Sequence, residues 1–277
     1  MVFTDLNEPE QLLWQAFPKG TWVDLRVGDA VADDLGTAPG WGAERVVRAE
    51  VIRALLLGAG EAEPGHAPGV RLRGARITGR LDLMGATVSY PLVCEHCYFD
   101  QELRFVESST RTVRIVTSHL PALNGTRMRL AGILNLWACQ IAGVLRLDQA
   151  KLSGQLCLLD AAIGAGTGME AVAAYGLAVD GDLECAGLHA RGSVVMVTAA
   201  ITGSADLTGA RISNPGQQAL RMDRAVIGRL DCRDMIVHGE TRMHNTRISA
   251  SLTLSSAKLD NPAGVALSER LVIRLAG

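Results

Sequence analysis

From Gly69 to Val88 the chain reads GVRLRGARITGRLDLMGATV, and the fold is decided by how this stretch repeats. Counting from Val70, apolar residues take the first and third positions, a small residue the sixth and a branched apolar residue the eighth. The frame restarts after about eleven residues, the kind of short internal period that marks a solenoid. It holds most tightly from Val70 to Ile163 and continues beyond. The first-position residues are Val70, Leu81, Leu92, Leu103, Val113, Leu123, Leu134, Leu145, Leu156, Val172, Leu183, Val194, Ala205, Leu220, Leu230, Thr241, Leu252 and Val265. The sixth position reads Ala75, Ala86, Cys97, Ser108, Ser118, Met128, Cys139, Ala150 and Ala161.

Each frame divides into two short strands, as in Leu81-Asp82-Leu83 and Ala86-Thr87-Val88, separated by a turn at Met84-Gly85. In extended chain the first, third, sixth and eighth side chains then point inward, while the second and seventh face solvent. Gly79, Gly132, Gly143, Gly154, Gly181, Gly192 and Gly203 fall at the tenth position, where a corner is expected to need positive φ. Two frames make a four-sided coil of about 22 residues. The eighteen frames give about nine coils, a rod on the order of 40 Å long at a 4.8 Å rise.

Residues 1–69 stand outside the repeat and are expected to form a helical cap and connector, with the β-helix over 70–277. Pro9 followed by EQLLWQAF reads as a short helix. The segment AERVVRAEVIRALLLG reads as a longer one ending at Gly58, its apolar face made by Val46, Val47, Val51, Ile52, Leu55 and Leu56. Trp14, Trp22 and Trp41 are expected to join the cap. At the other end RLVIRLAG places Leu271, Val272 and Ile273 on a last coil with no cap in the sequence. Such an edge invites pairing with a second copy, so a homodimer through the C-terminal coils is expected.

Composition narrows the function. Residues counted as hydrophobic make up 48% and aromatic ones 4%, and 27 basic against 29 acidic residues leave a net charge of −2. That balance gives no strong signal for nucleic-acid binding. The opening MVFTDLNEPEQ has acids where a secretory signal would have bases, and no run reaches the roughly 20 apolar residues of a membrane span. A cytoplasmic protein, with peripheral membrane contact as a variant, is the expectation. Of the six cysteines, Cys94, Cys97, Cys139, Cys185 and Cys232 fall on inward slots and only Cys157 on an outward one.

GARITGRLDLMGATV resembles the pentapeptide-repeat family, in which each side of a right-handed, four-sided β-helix carries a small residue two before a central Leu or Phe. The family's spacing is strict here only from Leu103 to Val113, Val113 to Leu123 and Leu220 to Leu230. With GSADLTGARISNPGQQALRMDRAVIGRLDC, WVDLR and GWGAERVVRAEVIRALLLG, the chain is also similar to a group of actinobacterial proteins labelled membrane-associated oxidoreductases. The resemblance implies a right-handed β-helix, and the label implies redox activity.

No residue set supplies that chemistry directly. Cys94-Glu-His-Cys97 puts both thiols in the core, and His238, Glu240 and His244 straddle a corner. The GAG near residue 59 follows a helix rather than a strand. No cofactor and no metal is therefore expected, and catalytic residues stay unassigned. Tyr98, His119 and Gln140 share one outward slot on consecutive coils.

Three insertions, GAGTGMEA, SNPGQQA and DNPAGVA, precede the tenth, fourteenth and eighteenth frames. All three numbers are even, so the loops should leave one edge of the rod. Beside that edge the even frames carry Arg104, Arg146, Arg221 and Arg242 at their second positions, and the odd frames Glu184, Asp206 and Asp231. One side is then basic and the opposite side partly acidic, and arginines in a row suit an anionic or phosphorylated ligand. Ala173, Ala178, Val195, Ala200 and Val226 are expected to form an exposed apolar strip between them. The leading expectation is a non-catalytic interaction scaffold for a protein or extended ligand, its face marked by Glu170, Ala173, His189, Val195, Arg211, Arg221 and Arg242. An enzyme, with Glu170, His189, Arg211, Arg221 and Arg242 beside the loops, is the competing class. A gyrase-binding DNA mimic is the third, weakened by the near-neutral charge.

Overall fold

The computed structural model describes residues 5–273 apart from 165, 167 and 168. Its β region is a parallel solenoid in which each inward slot pairs with the same slot one coil later. On the first side the rungs run Val70, Leu92, Val113, Leu134, Leu156, Leu183, Ala205, Leu230 and Leu252, nine coils in all. The outward slots of the second side run Arg76, Tyr98, His119, Gln140, Ala162, His189, Arg211, Ile236 and Lys258. The third side runs Asp82, Arg104, Asn124, Arg146, Ala173, Val195, Arg221, Arg242 and Ser268. The fourth begins with Thr87, Ser109, Arg129, Lys151, Ala178, Ala200 and Val226.

Leu, Ile, Val and Cys fill the inward slots almost without solvent contact from Val70 to Ile248. The narrow interior explains the small sixth position, and three of the polar residues that enter it have a backbone partner, while the buried hydroxyls of Thr110 and Thr241 have none. Ser108 Oγ donates to Phe105 O at 2.8 Å, Ser118 Oγ to Val116 O at 2.8 Å and Thr246 Oγ1 to Met222 O at 2.6 Å, which avoids leaving a hydroxyl unpaired in the core.

The left-handed residue sits elsewhere than expected. Every frame from Val70 to Leu252 has its positive φ at the fifth position, on Gly74, Gly85, Gly176, Gly187 and Gly209, and on twelve non-glycines from His96 to Ser256. A positive φ at the third residue of a four-residue turn is the type II geometry. The closing bond is present in, for example, Ala86 N to Leu83 O at 3.0 Å and Ala161 N to Leu158 O at 3.1 Å. Of the tenth-position glycines only Gly79 and Gly192 are left-handed. The others are needed for close approach: a Cβ on Gly154 would lie 2.4 Å from Gly132 O, on Gly181 3.0 Å from Gly154 O and on Gly203 2.8 Å from Gly181 O. One corner is thus a glycine column in which each Cα rests on the carbonyl below.

The cap differs from the two-helix expectation. Helix α1 covers Glu8–Ala16, as read from the sequence. The segment expected as one long helix splits into a 3-10 turn at Ala43–Arg45, a strand and a short helix α2 at Ala49–Leu56. The strand wins because Val46 and Val47 are β-branched and a sheet edge is there to receive them. Strand β1 (Val23–Asp24) pairs with Leu72 and Arg73, and β2 (Val46–Arg48) with Arg76 to Thr78. The cap therefore supplies a partial coil beneath the first, and Leu13, Phe17, Ile52 and Leu55 plug its interior with no exposure. Trp41 packs under the Arg45 guanidinium at 3.3 Å and Trp22 under that of Arg73 at 3.9 Å.

The far end is looser. The eighteenth frame starts at Leu267, which pairs with Thr241, and not at Val265, which is 61% exposed in the loop before it. Leu254 holds an inward slot yet is 40% exposed, because among the described residues no strand lies beyond its coil. The side chains of Leu271, Val272 and Ile273, on which the expected adhesive edge depends, lie outside the described ones. Among the described residues no helix is long and apolar enough to cross a membrane.

Candidate ligand face

The three insertions leave one corner, between the second and third sides. They fall between Ile163 and Val172, Ile212 and Leu220, and Leu259 and Leu267. The coils between them turn the same corner tightly. Gly192 and Gly239, both at φ +127, do so directly against the loop of the preceding coil. A Cβ there would lie 2.5 Å from Met169 O and 2.5 Å from Asn214 O respectively. Loops and glycines therefore alternate along the edge, and a Cβ placed on Gly216 of the second loop would lie 4.0 Å from Ala263 Cβ of the third.

The seven residues expected on the face divide at this corner. His189 and Arg211 are neighbours on the second side. Ala173, Val195, Arg221 and Arg242 follow one another on the third, with Glu170 at its loop edge. Tyr175, which the sequence reading passed over, organises the third side. Its hydroxyl donates to Glu170 Oε1 at 2.7 Å and receives Arg221 Nη1 at 3.4 Å. Ala173 and Val195 hold adjacent outward slots on this side. Both are 0% exposed, so the apolar strip expected there is covered. Only Ala178, Ala200 and Val226 remain of it, on the fourth side, with Val226 41% exposed.

Most of the arginine row is paired. Arg104 meets Asp82 at 2.8 Å, Arg146 meets Asp148 at 3.0 Å and Arg242 meets Asp223 at 3.1 Å. Arg221 has no carboxylate partner among the described residues, and its Nε is buried without a hydrogen bond. Arg221, Asp223, Arg224, Arg242, His244, Asn245 and Val197 line a cleft of about 330 Å³. His244 Nε2 and Ser268 Oγ lie 2.5 Å apart, and Asp223 Oδ1 accepts the His244 backbone N–H at 3.0 Å. Tyr175, Asp223 and His244 all hold the fourth position of an even frame. That register would have revealed them, had the fourth position been read as more than turn.

On the second side Tyr98 and His119 stack, rings 4.4 Å apart and 6° from parallel. Burial pushes the His119 imidazole below its ordinary range. Ala162 leaves a notch of about 460 Å³ between His119, Gln140, His189 and Arg191. Below it the cap loop around Asp29 and Asp33 encloses about 930 Å³ against His96 and Thr117. Its carboxylates are engaged: Asp33 holds buried Arg45 at 2.9 Å, and Asp24 binds Arg26 at 2.6 Å. On the first side Glu184, Asp206 and Asp231 stack on successive rungs, opposite the arginines.

The six thiols are free and buried. Cys157 takes its outward slot on the first side but is only 6% exposed. Burial pushes Cys139 and Cys232 up to about 12. Cys94, hydrogen-bonded to Cys97 in the core, is also driven well above an ordinary thiol. Such thiols are poor nucleophiles. No group of three or more His, Cys, Asp or Glu is placed to hold a metal ion among the described residues. Comparison of the chain with models of protein families, with curated proteins and with solved structures finds no match.

Proposed function

We propose that the protein is a non-catalytic binding scaffold whose third side, with the loop-bearing corner beside it, receives a protein or an extended ligand. The observation that carries this reading is the convergence of three insertions on one edge, next to the side on which Arg221 and Arg242 occupy adjacent rungs. Loops concentrated on one edge of a rigid stack can vary without disturbing the core, which suits them to recognition. The repeat frame also supports the pentapeptide-repeat resemblance. Six free thiols fit a reducing, cytoplasmic setting.

A hydrolase reading of Asp223, His244 and Ser268 has less behind it. The carboxylate holds the histidine backbone rather than Nδ1, so nothing orients the ring as a general base requires. The redox reading would need an accessible thiol or a cofactor site, and the thiols are buried. The test is affinity capture from the source cell, comparing wild type with Arg221→Glu/Arg242→Glu and with a first-side control, Asp206→Lys/Asp231→Lys. A partner kept by wild type and control but lost by the third-side variant supports the proposal. Equal capture by all three contradicts it.

A further inference from the structure

We infer that the cleft around Arg221 is a phosphate site, so that the ligand of the third side carries a doubly charged tetrahedral oxyanion. The inference rests on the scaffold reading and names the chemistry its face selects. Three arginines and one carboxylate, Asp223, line the cleft, which leaves two positive charges uncompensated. Arg221 and Arg242 are direct rung partners. Their guanidinium groups are therefore held on neighbouring strands about 4.8 Å apart at the backbone, and like charges at that spacing repel.

Asp223 relieves only one of them, since it bonds Arg242 Nε at 3.1 Å and the His244 backbone. Arg221 is held from the far side by the Tyr175 hydroxyl, whose own proton goes to Glu170. That arrangement fixes the guanidinium without neutralising it, and its Nε remains buried and unpartnered. Arg224, exposed on the adjoining turn, has no carboxylate partner among the described residues. A phosphate fits this arrangement better than a carboxylate. It brings the two negative charges the lining lacks, and its tetrahedral oxygens can engage forks on different rungs, whereas a planar carboxylate satisfies one fork. His244, its Nε2 beside Ser268 Oγ, also borders the cleft.

Inorganic phosphate titrated into the full chain at constant ionic strength, followed by 31P NMR, tests the assignment without any partner. Saturable binding is expected, weakened roughly tenfold by Arg221→Gln and by exposed Arg224→Gln, the loss of one charged hydrogen bond each. It should be unchanged by Arg129→Gln on the fourth side. Sulfate should compete and acetate should not. Should Arg221→Gln unfold the chain, the surface variant Arg224→Gln still decides. Absence of saturation, or equal binding by wild type and Arg224→Gln, overturns the site, as does competition by acetate as strong as by sulfate. Failure here with third-side-dependent partner capture would leave the scaffold standing, and phosphate binding without such capture would leave a site for a small phosphate ester.

Discussion

At the residue scale the solenoid rests on two backbone demands that look alike in sequence. The fifth position needs a left-handed residue, and any side chain can be forced into it at a cost of about 1–2 kcal/mol. Ala138 is such a residue at φ +51. Ala138→Gly is expected to raise stability by about 0.5 kcal/mol, once the greater freedom of glycine in the unfolded chain is deducted. Gly154 has an ordinary φ but no room, with Gly132 O 2.4 Å from where a Cβ would be. Gly154→Ala should destabilise by about 2 kcal/mol, in the range of overpacked sites, and urea midpoints of the two variants should move in opposite directions. The repeat frame was legible because inward slots tolerate only apolar residues. The fifth position was not, because twelve of its residues, from His96 to Ser256, share no chemistry; only their backbone angle is common.

His119 adds a pH dependence. Its folded pKa lies below the ordinary value of about 6.5, so the unfolded chain takes up the proton first. Its contribution is intact above pH 6.5 and is lost as pH falls through the depressed folded value. His119→Gln should flatten the acid side of the stability curve in that window, and an unchanged slope would mean that other groups control it.

At the element scale the loop-bearing corner is built by alternation. Each tight coil needs a glycine at φ +127 against the loop of the coil before it, so Gly239→Ala should cost about 2 kcal/mol or more. Its hydrogen-exchange signature should be local, with faster exchange in 213–219 and unchanged rates near Gly85. The parity of the insertions let the common edge be read from the sequence. The burial of Ala173 and Val195 could not be, because both hold outward slots of the frame and side-chain packing over a side leaves no mark in spacing.

At the scale of the whole molecule the two ends differ. The cap is tied down by Glu10, which is 0% exposed and bonds the Arg48 backbone and guanidinium at 2.9, 2.8 and 2.7 Å. Burial alone would raise the Glu10 pKa, but the bonds to Arg48 and Asn7 outweigh it and hold it low. Arg48→Met should strand the carboxylate and cost roughly 3 kcal/mol, the order seen when one partner of a buried pair is removed. Its deficit should shrink as pH falls into the carboxylate range, because burial without Arg48 favours the protonated Glu10. A constant deficit across pH would show that Arg48 acts through packing alone. The cap helices were legible in outline, but Val46–Arg48 was read as helix, because its apolar spacing fits either form and only the waiting strand at Arg76–Thr78 decides.

The claim that one corner and one side receive the ligand is tested most directly by hydrogen–deuterium exchange on the protein with and without its captured partner. Protection is expected in 169–175, 213–224 and 240–245, with the first-side rungs at Glu184, Asp206 and Asp231 unchanged. Protection centred on those acidic rungs, with the loop-bearing corner exchanging as in the free protein, would contradict the account.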